Sequence, residues 1–391
     1  MARIFFSVLA VVVAVVFGFY QLRLKPLFNV AGVGRVLEPK GNTNCKAVPQ
    51  LQACEKIILH APSGLLYLAC STPSSRTHWT PAVLRLNETG MSQSDYVATY
   101  NPDTGKITRL TVLGFTSLRG LSLHGMDVVP SSSNPNELWV YLINHRKPLG
   151  GAKASEVGAD SVIEIFKTVV GGTSLTHVTT VEDPVILTPN DVVGSPTGKS
   201  FHFSNDHGAK TGISRTIELY LTWPRSSVGF CHLDKGCKIA IGKLPGINGI
   251  TKAKNDTFYV PSAGVPELRV LERQADDTLV VTDIIPTDRL MDNASVDEDG
   301  IVWAAGFPDA LQMVGEHFED PTIPSPSSAL AFSLNTGKDA YFGQKFKVEK
   351  VFEDDGNVAS GTTTVVHDPR RGLLFLTGVC SPHLTVCNVR Q

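Results

Sequence analysis

The chain has 391 residues, of which 42% are hydrophobic, so it is long enough to bury a large core. Its 35 Lys and Arg residues nearly balance its 37 Asp and Glu residues, and no basic block or stripe stands out. Because nucleic-acid-binding domains carry a concentrated positive charge, this even distribution excludes that class, and we expect no nucleic-acid partner.

An almost uninterrupted apolar run occupies residues 4–20. A run of this length is near the minimum for a bilayer span, whereas a secretory signal has a shorter apolar core followed by small residues. The bulky Phe17 and Phe19 stand where cleavage would occur. We therefore expect an uncleaved signal-anchor over residues 1–22 and a connector over residues 23–44, with a cleaved signal peptide as the alternative.

Cysteines and sequons indicate the compartment of the remaining chain. Asn87 and Asn255 each begin an Asn-X-Thr sequon, and seven cysteines follow the apolar run. Disulfides and glycans are typical of a lumenal or extracellular body, so we expect a protein of the secretory pathway, membrane-anchored or, if cleaved, secreted. The odd count leaves at least one unpaired thiol, and Cys231 and Cys237 are expected to close a small disulfide loop.

Short apolar segments separated by turn residues fill residues 45–391. Examples lie at residues 64–70, 138–143, 161–166, 217–222, 300–304 and 372–377. Many short strands without helical periodicity indicate an all-β domain. About twenty strand candidates are too many for one sandwich, and strands in groups of four suit a β-propeller of five or six blades.

Oxygen-bearing side chains lie at the ends of several of these segments. They are Glu55, Asn190, Asn248, Asp292 and Asn293. Taken singly, each has a structural explanation; Asn248, for example, precedes a glycine in a strong hairpin-turn dipeptide. Brought together in a propeller tunnel, two carboxylates and three amide oxygens would form a calcium site, whereas zinc prefers His or Cys.

Two histidines in apolar settings, His124 and His145, are further candidates. Either one alone reads as a core histidine, but a pair beside a metal could supply a general base. Asp206 and His207 add another polar pair at a strand end, and we include Asp206 among the catalytic candidates. The chain has no Gly-X-Ser-X-Gly elbow, which disfavours a serine nucleophile, and no nucleotide-binding glycine motif.

At these residues the sequence resembles the paraoxonase/arylesterase family. The matching segments lie in the family's order at residues 123–126, 142–145, 189–193, 204–207, 247–250 and 290–297. The resemblance spans nearly the whole chain, from Cys45 to Cys387. Six weak motifs in the correct order make a specific match.

The resemblance implies a six-bladed β-propeller with two calcium ions in its central tunnel. It would place Glu55, Asn190, Asn248, Asp292 and Asn293 around the catalytic calcium, which would polarise the substrate carbonyl. It would make His124 and His145 the dyad that activates water. It also implies a disulfide between Cys45 and Cys387 and an N-terminal hydrophobic segment that is retained.

Two departures from the family pattern change the expectations. The second calcium would be held by Asp191 and the carbonyl of Met126, but Lys56 stands where the family has an aspartate. We therefore expect one firmly bound calcium and an uncertain second one. Residues 307–309 read Phe-Pro-Asp where the animal enzymes have His-Pro-Asn, which predicts a different substrate range.

The sequence thus predicts a monomeric, calcium-dependent hydrolase of carboxylic esters and lactones. One alternative is a non-catalytic lumenal propeller whose calcium is structural and whose surface binds a partner. Another is a propeller enzyme of the strictosidine-synthase or gluconolactonase type.

Overall fold

The computed structural model of the chain describes residues 2–338, 340 and 343–389. Met1 of the predicted anchor and residues 390–391 of the predicted propeller domain lie outside the described residues. The architecture is that of a six-bladed β-propeller, as the family resemblance implies, preceded by an N-terminal helix.

The strands form one sheet per blade. Blade 1 contains β2 (Cys54–His60), β3 (Leu65–Cys70), β6 (Tyr96–Tyr100) and β7 (Ile107–Arg109); blade 2 contains β9 (Leu123–Pro130), β10 (Glu137–Arg146), β11 (Asp160–Val169), β12 (Ser174–Val181) and β8 (Thr111–Leu113). Blade 3 contains β13 (Pro189–Gly194), β14 (Ser200–Asn205), β15 (Ser226–His232) and β16 (Gly236–Leu244).

The remaining blades complete the ring. Blade 4 contains β17 (Thr251–Lys252), β18 (Thr257–Pro261), β19 (Glu267–Arg273) and β20 (Leu279–Pro286); blade 5 contains β21 (Met291–Val296), β22 (Val302–Gly306), β23 (Ser327–Leu334) and β24 (Phe346–Asp354). Blade 6 contains β25 (Thr364–Asp368), β26 (Leu373–Thr377), β27 (Leu384–Asn388) and β1 (Cys45–Val48). The short strands β4 (Trp79–Thr80) and β5 (Arg85–Leu86) pair with each other.

The six innermost strands surround the tunnel. They contact one another in the order β2, β9, β13, β17, β21 and β25, and β25 contacts β2 again. In every blade the innermost strand is followed along the chain by the next strands outward, so the first residues of all six innermost strands lie at the same end of the tunnel. Strand β1 closes the ring from the N-terminal side, since it pairs with β27 as the outermost strand of blade 6.

The core consists of apolar side chains packed between neighbouring blades. Tyr141 of blade 2, for example, packs on Phe201 of blade 3 with ring centroids 5.9 Å apart. Because each sheet is covered on both faces, many strands read as continuous apolar runs without strict alternation. That pattern explains why the strand positions could be predicted from short apolar segments.

Short helices connect the strands. They are α3 (Pro73–His78), α4 (Ala154–Val157), α5 (Gly212–Leu221) and α6 (Ala310–Gln312). The strand predicted at residues 217–222 is wrong, because α5 covers most of that segment. The hairpin of β14 and β15 pairs Asn205 with Ser227, which leaves the intervening residues without a sheet partner despite their alternating pattern.

The N-terminal segment is helical well past the predicted anchor. Helix α1 (Ala2–Phe19) continues through a π-helical turn (Tyr20–Leu24) into α2 (Lys25–Ala31). Within the described residues, this is the one helix long and apolar enough to cross a membrane. The connector behind it is tied to blade 5, since the Arg35 guanidinium donates to the carbonyls of Phe307 and Pro308, both at 3.2 Å.

The part of the chain that the structure describes contains three disulfides. Cys45–Cys387 links β1 to β27, and Cys231–Cys237 closes a small loop, as predicted. Cys54 pairs with Cys70 across β2 and β3, which leaves Cys380 as the free cysteine among the described residues. Burial raises the pKa of the Cys380 thiol to about 12, so this thiol is neutral and unreactive at physiological pH.

Loop length predicts how much each disulfide stabilises the fold. Cys45 and Cys387 are 342 residues apart in sequence, and Cys231 and Cys237 are 6 apart. Loop-closure entropy then predicts a loss of about 6 kcal/mol for Cys45→Ser/Cys387→Ser and about 2 kcal/mol for Cys231→Ser/Cys237→Ser. Equilibrium unfolding in urea checks the ranking, and equal losses in the two variants would contradict it.

Candidate active site

The candidate residues occupy equivalent positions in different blades. Glu55, His124, Asn190 and Asp292 are each the second residue of the innermost strand of their blade, in β2, β9, β13 and β21. In blade 4, Asn248 lies just before β17. The propeller thereby brings together, at one end of the tunnel, side chains that are far apart in sequence.

Local irregularities turn these side chains into the tunnel. The pairing register shifts at Glu55 in blade 1, at His124 in blade 2, at residues 190–191 in blade 3 and at residues 292–293 in blade 5. A β-bulge adds a residue to one strand and redirects its side chains, and bulges are frequent beside active sites. The site is therefore built from four bulged strand starts.

Two glycines allow the strands to approach closely. A Cβ atom on Gly125 would lie 2.3 Å from the carbonyl oxygen of Asn190, and one on Gly249 would lie 2.7 Å from Oδ1 of Asn293. Any larger residue at these positions would push the candidate ligands apart. Gly249 also donates its amide to the Asp292 carbonyl at 3.2 Å, which joins the Asn248 turn to the start of β21.

Glu55 lies at the centre of the site. Its Oε1 accepts a hydrogen bond from Asn293 Nδ2 at 2.9 Å, and its Oε2 accepts one from Thr363 Oγ1 at 2.6 Å. Oε1 is also 3.8 Å from Nε2 of His124. That ring nitrogen in turn lies 3.2 Å from Asn190 Nδ2. Residues of blades 1, 2, 3 and 5, together with Thr363 just before β25 of blade 6, thus lie around the buried Glu55 carboxylate.

The two buried carboxylates repel each other. Burial raises the pKa of Glu55 above its usual range. Burial and the nearby charge of Glu55 raise the pKa of Asp292 well above its usual range. Two carboxyl groups held this way are stable when they share a proton or a cation, because either one neutralises part of their charge.

Unpartnered oxygens make the set suitable for a hard cation. Asn190 Oδ1 and Asn248 Oδ1 are buried, and neither has a hydrogen-bond partner in the described part of the chain. Asn293 directs its amide nitrogen to Glu55, so a half-turn of that amide would present its oxygen instead. Oxygen donors with two carboxylates and neutral amides fit calcium. Within the described ranges, no cluster of three or more His, Cys, Asp or Glu side chains forms a metal site, so the amides are essential to the set.

The two histidines stand together beside the carboxylates. The ring centroids of His124 and His145 are 5.2 Å apart, and both residues are buried. Nδ1 of His145 shares a hydrogen bond with Ser161 Oγ at 2.8 Å. Burial lowers the pKa of His145 to about 4 and, together with His145, lowers the pKa of His124 well below its usual value. Both rings are therefore neutral at pH 7, the form that can accept a proton.

Asp206 lies near this histidine pair. A cavity of about 20 Å³, with both Asp206 and His145 in its wall, lies beside them, and it is roughly large enough for one water molecule. Burial alone would raise the pKa of Asp206, but His207, whose Nδ1 is 2.8 Å from Oδ1, and the Arg215 guanidinium lower it to about 2. Asp206 is thus a charged neighbour of the two histidines, and its catalytic role stays a prediction.

Lys56 forms a salt bridge with Asp191, the carboxylate predicted to bind a second calcium. Its ammonium donates to Asp191 Oδ2, and both side chains are buried. Met126, the other predicted ligand of that site, is buried in β9 opposite Leu142. The Lys56 ammonium is therefore a cation within the chain that neutralises the Asp191 carboxylate.

Sequence reasoning missed Arg76 and Thr363. The Arg76 guanidinium is buried and donates to the Leu123 carbonyl at 2.6 Å. Its positive charge offsets part of the rise in the pKa of Glu55 that burial causes. Thr363 precedes β25 and supplies the contact of blade 6 with Glu55. Thr363 could have been found from its place at the start of an innermost strand, but Arg76 lies on α3 between strands and carries no comparable signal.

Residues 307–309, which are predicted to change the substrate range, make structural contacts. Phe307 packs in an apolar cluster with Met313 and Phe318. Asp309 caps helix α6 by accepting a hydrogen bond from the Gln312 amide at 2.9 Å. The effect of this segment on substrate range stays a prediction.

The predicted sequons differ in accessibility. Asn87 and Asn255 are exposed, as glycan attachment requires. Asn293 also begins a sequon, but it is 1% exposed and is therefore inaccessible in the folded protein.

Comparison with known proteins agrees with this architecture. The family model described as Arylesterase matches residues 37–387. The chain is 24% identical to serum paraoxonase/lactonase 3 of Oryctolagus cuniculus over 344 residues, which is 87% of this chain and 88% of the relative. It is 22% identical to serum paraoxonase/arylesterase 1 of Homo sapiens over 347 residues, 88% of this chain and 87% of the relative.

A structure titled as a gluconolactonase from Xanthomonas campestris covers 90% of this chain and 97% of its own, with a TM-score of 0.47 and 12% identity. That likeness is too weak to bear on function. The family match, in contrast, spans every blade of the propeller. The chain belongs to the arylesterase family, whose relatives here are named paraoxonases, arylesterases and lactonases.

Proposed function

We propose that this chain is a calcium-dependent hydrolase of carboxylic esters and lactones. The observation that carries the proposal is the meeting of Glu55, Asp292 and two unpartnered amide oxygens beside a neutral histidine pair. Membership of the arylesterase family favours this chemistry over that of other propeller enzymes.

The calcium ligands would be Glu55, Asn190, Asn248, Asp292 and Asn293. When bound there, calcium would act as a Lewis acid toward the substrate carbonyl and stabilise negative charge on its oxygen. The carboxylates offset part of the ionic charge, and the neutral amides add donors without further neutralising it.

His124 would accept the proton of the attacking water. Its low pKa keeps the ring unprotonated, and its Nε2 is 3.8 Å from the Glu55 carboxylate, close to the proposed calcium ligands. His145, fixed by its hydrogen bond to Ser161, would orient the first ring and receive the proton from it. The negative charge of Asp206 favours the protonated form of both rings and would stabilise it after proton transfer.

One calcium is sufficient for this proposal. Asp191, a predicted ligand of a second ion, already has an internal cation in Lys56. We therefore expect one calcium per chain to be needed for activity.

The helix at the N-terminus would anchor the enzyme in a membrane, with the propeller on the lumenal or extracellular side. Three disulfides and two exposed sequons support that side, since both require the secretory pathway. Detection of glycans at Asn87 and Asn255 would demonstrate directly that the propeller is on the lumenal or extracellular side.

Hydrolysis of three substrate classes tests the proposed chemistry. The full chain in detergent with calcium is expected to cleave phenyl acetate and a δ-lactone faster than an aryl phosphotriester, because carbonyl oxyanion stabilisation by one hard cation suits carboxyl substrates. Release of phenol and ring-opened acid is measured directly. A folded, calcium-loaded chain inactive on all three would favour the non-catalytic propeller.

A further inference from the structure

Lys56 is a lysine that is almost entirely buried. The residue is 2% exposed, and Asp191, which accepts its hydrogen bond, is 0% exposed. A second contact joins Lys56 Nζ to the Ala294 carbonyl at 3.4 Å. Removing an ammonium from water is unfavourable unless a carboxylate and further acceptors compensate, so the fold must hold this pair in place.

The pair connects strands of four blades. Lys56 belongs to β2 of blade 1, Asp191 to β13 of blade 3 and Ala294 to β21 of blade 5. Asp191 Oδ2 also accepts the Ile250 amide at 3.1 Å, directly before β17 of blade 4. The Lys56–Asp191 pair is therefore a polar crosslink across the tunnel.

Each residue of this crosslink directly follows a candidate calcium ligand. Lys56 follows Glu55, and Asp191 follows Asn190. Ala294 follows Asn293. All three lie at the bulges that turn the ligands into the tunnel. Because each of the three is joined to a candidate ligand by a single peptide bond, a shift of its backbone would also move that ligand.

We propose that Lys56 is a positioning residue: its ammonium is an internal cation that fixes the bulges carrying the calcium ligands. The part of the proposal that concerns calcium rests on the proposed function. The part that concerns the fold does not, because the crosslink is complete within the protein. The propeller is accordingly expected to stay folded in EGTA.

A positioning role of Lys56 and a simple effect of its charge predict opposite changes in calcium affinity when the ammonium is removed. A nearby ammonium repels calcium, so removal of its charge alone would tighten calcium binding. Loss of positioning would weaken it. The double variant Lys56→Met/Asp191→Asn removes one positive and one negative charge and leaves the net charge unchanged. It therefore isolates the positioning effect.

Calcium affinity of the full chain in detergent, measured by isothermal titration calorimetry, is the direct test. The double variant is expected to bind calcium about tenfold more weakly or worse, with an unchanged circular dichroism spectrum. The matched control Lys252→Met/Asp256→Asn removes a partly exposed pair of β17 and its hairpin and should leave the affinity unchanged. A double variant within about twofold of the wild type would overturn the positioning role.

Thermal unfolding in EGTA tests the crosslink without calcium. Lys56→Met leaves the Asp191 carboxylate buried without its cation, so the unfolding midpoint is expected to fall by about 4–7 °C, against about 1 °C for Lys252→Met. A midpoint equal to the wild type would overturn the proposal. If the wild type binds no calcium, the proposed function fails, and this thermal comparison alone decides the role of Lys56.

Discussion

Asp292→Asn is expected to abolish ester hydrolysis and calcium binding together. Asparagine keeps the shape of the side chain but removes one of the two buried carboxylates of the site, whose charges interact. We expect kcat/KM for phenyl acetate to fall by about 10³-fold or more, because the ligand charge and the oxyanion stabilisation it supports are lost together. Steady-state kinetics and calorimetric calcium titration of the same preparation measure both effects.

Asp299→Asn is the matched control for this change. Asp299 is an exposed turn residue in the same blade, so the same chemical substitution there should leave both activity and calcium affinity unchanged. Retention of full, chelator-resistant activity by Asp292→Asn would show that the proposed calcium site is not the catalytic centre.

The His124→Gln substitution is expected to separate chemistry from metal binding. His124 is proposed as the proton acceptor and is not among the calcium ligands, so kcat should fall by about 10²- to 10⁴-fold. Calcium affinity should stay near that of the wild type, since the two carboxylates and the amides remain. Comparison of kcat with the calcium dissociation constant distinguishes this outcome from a general disruption of the site.

A control for His124→Gln is provided by His78→Gln. His78 is exposed on α3, and its replacement should leave kcat unchanged. If His124→Gln lost calcium binding in parallel with activity, His124 would have to be assigned to the metal site. If it kept wild-type kcat, the general-base role would belong to another group.

Much of the fold could be predicted from the sequence, since short apolar segments and turn dipeptides are local signals. The disulfide between Cys45 and Cys387 followed from the family resemblance and is confirmed. Residue type and family order identify the five proposed ligands. Their convergence became visible in the structure, because it depends on which strand of each blade is innermost.

Other features depend on tertiary context that a single sequence does not carry. The bulges at Glu55 and His124 are set by the register with the neighbouring strand. Helix α5 replaced a predicted strand because its residues lie outside the hairpin of β14 and β15. The sequence shows Lys56 as a departure from the family pattern, but its pairing with Asp191 depends on the distance across the tunnel.

The most direct test of the central claim is the calcium dependence of hydrolysis by the full chain. Phenyl acetate and δ-lactone cleavage are measured in calcium, after excess EGTA, and after calcium is returned. We predict that activity disappears in EGTA while the circular dichroism spectrum is unchanged, and that added calcium restores it. Hydrolysis that continues unchanged in EGTA would contradict the proposed mechanism and its ligands.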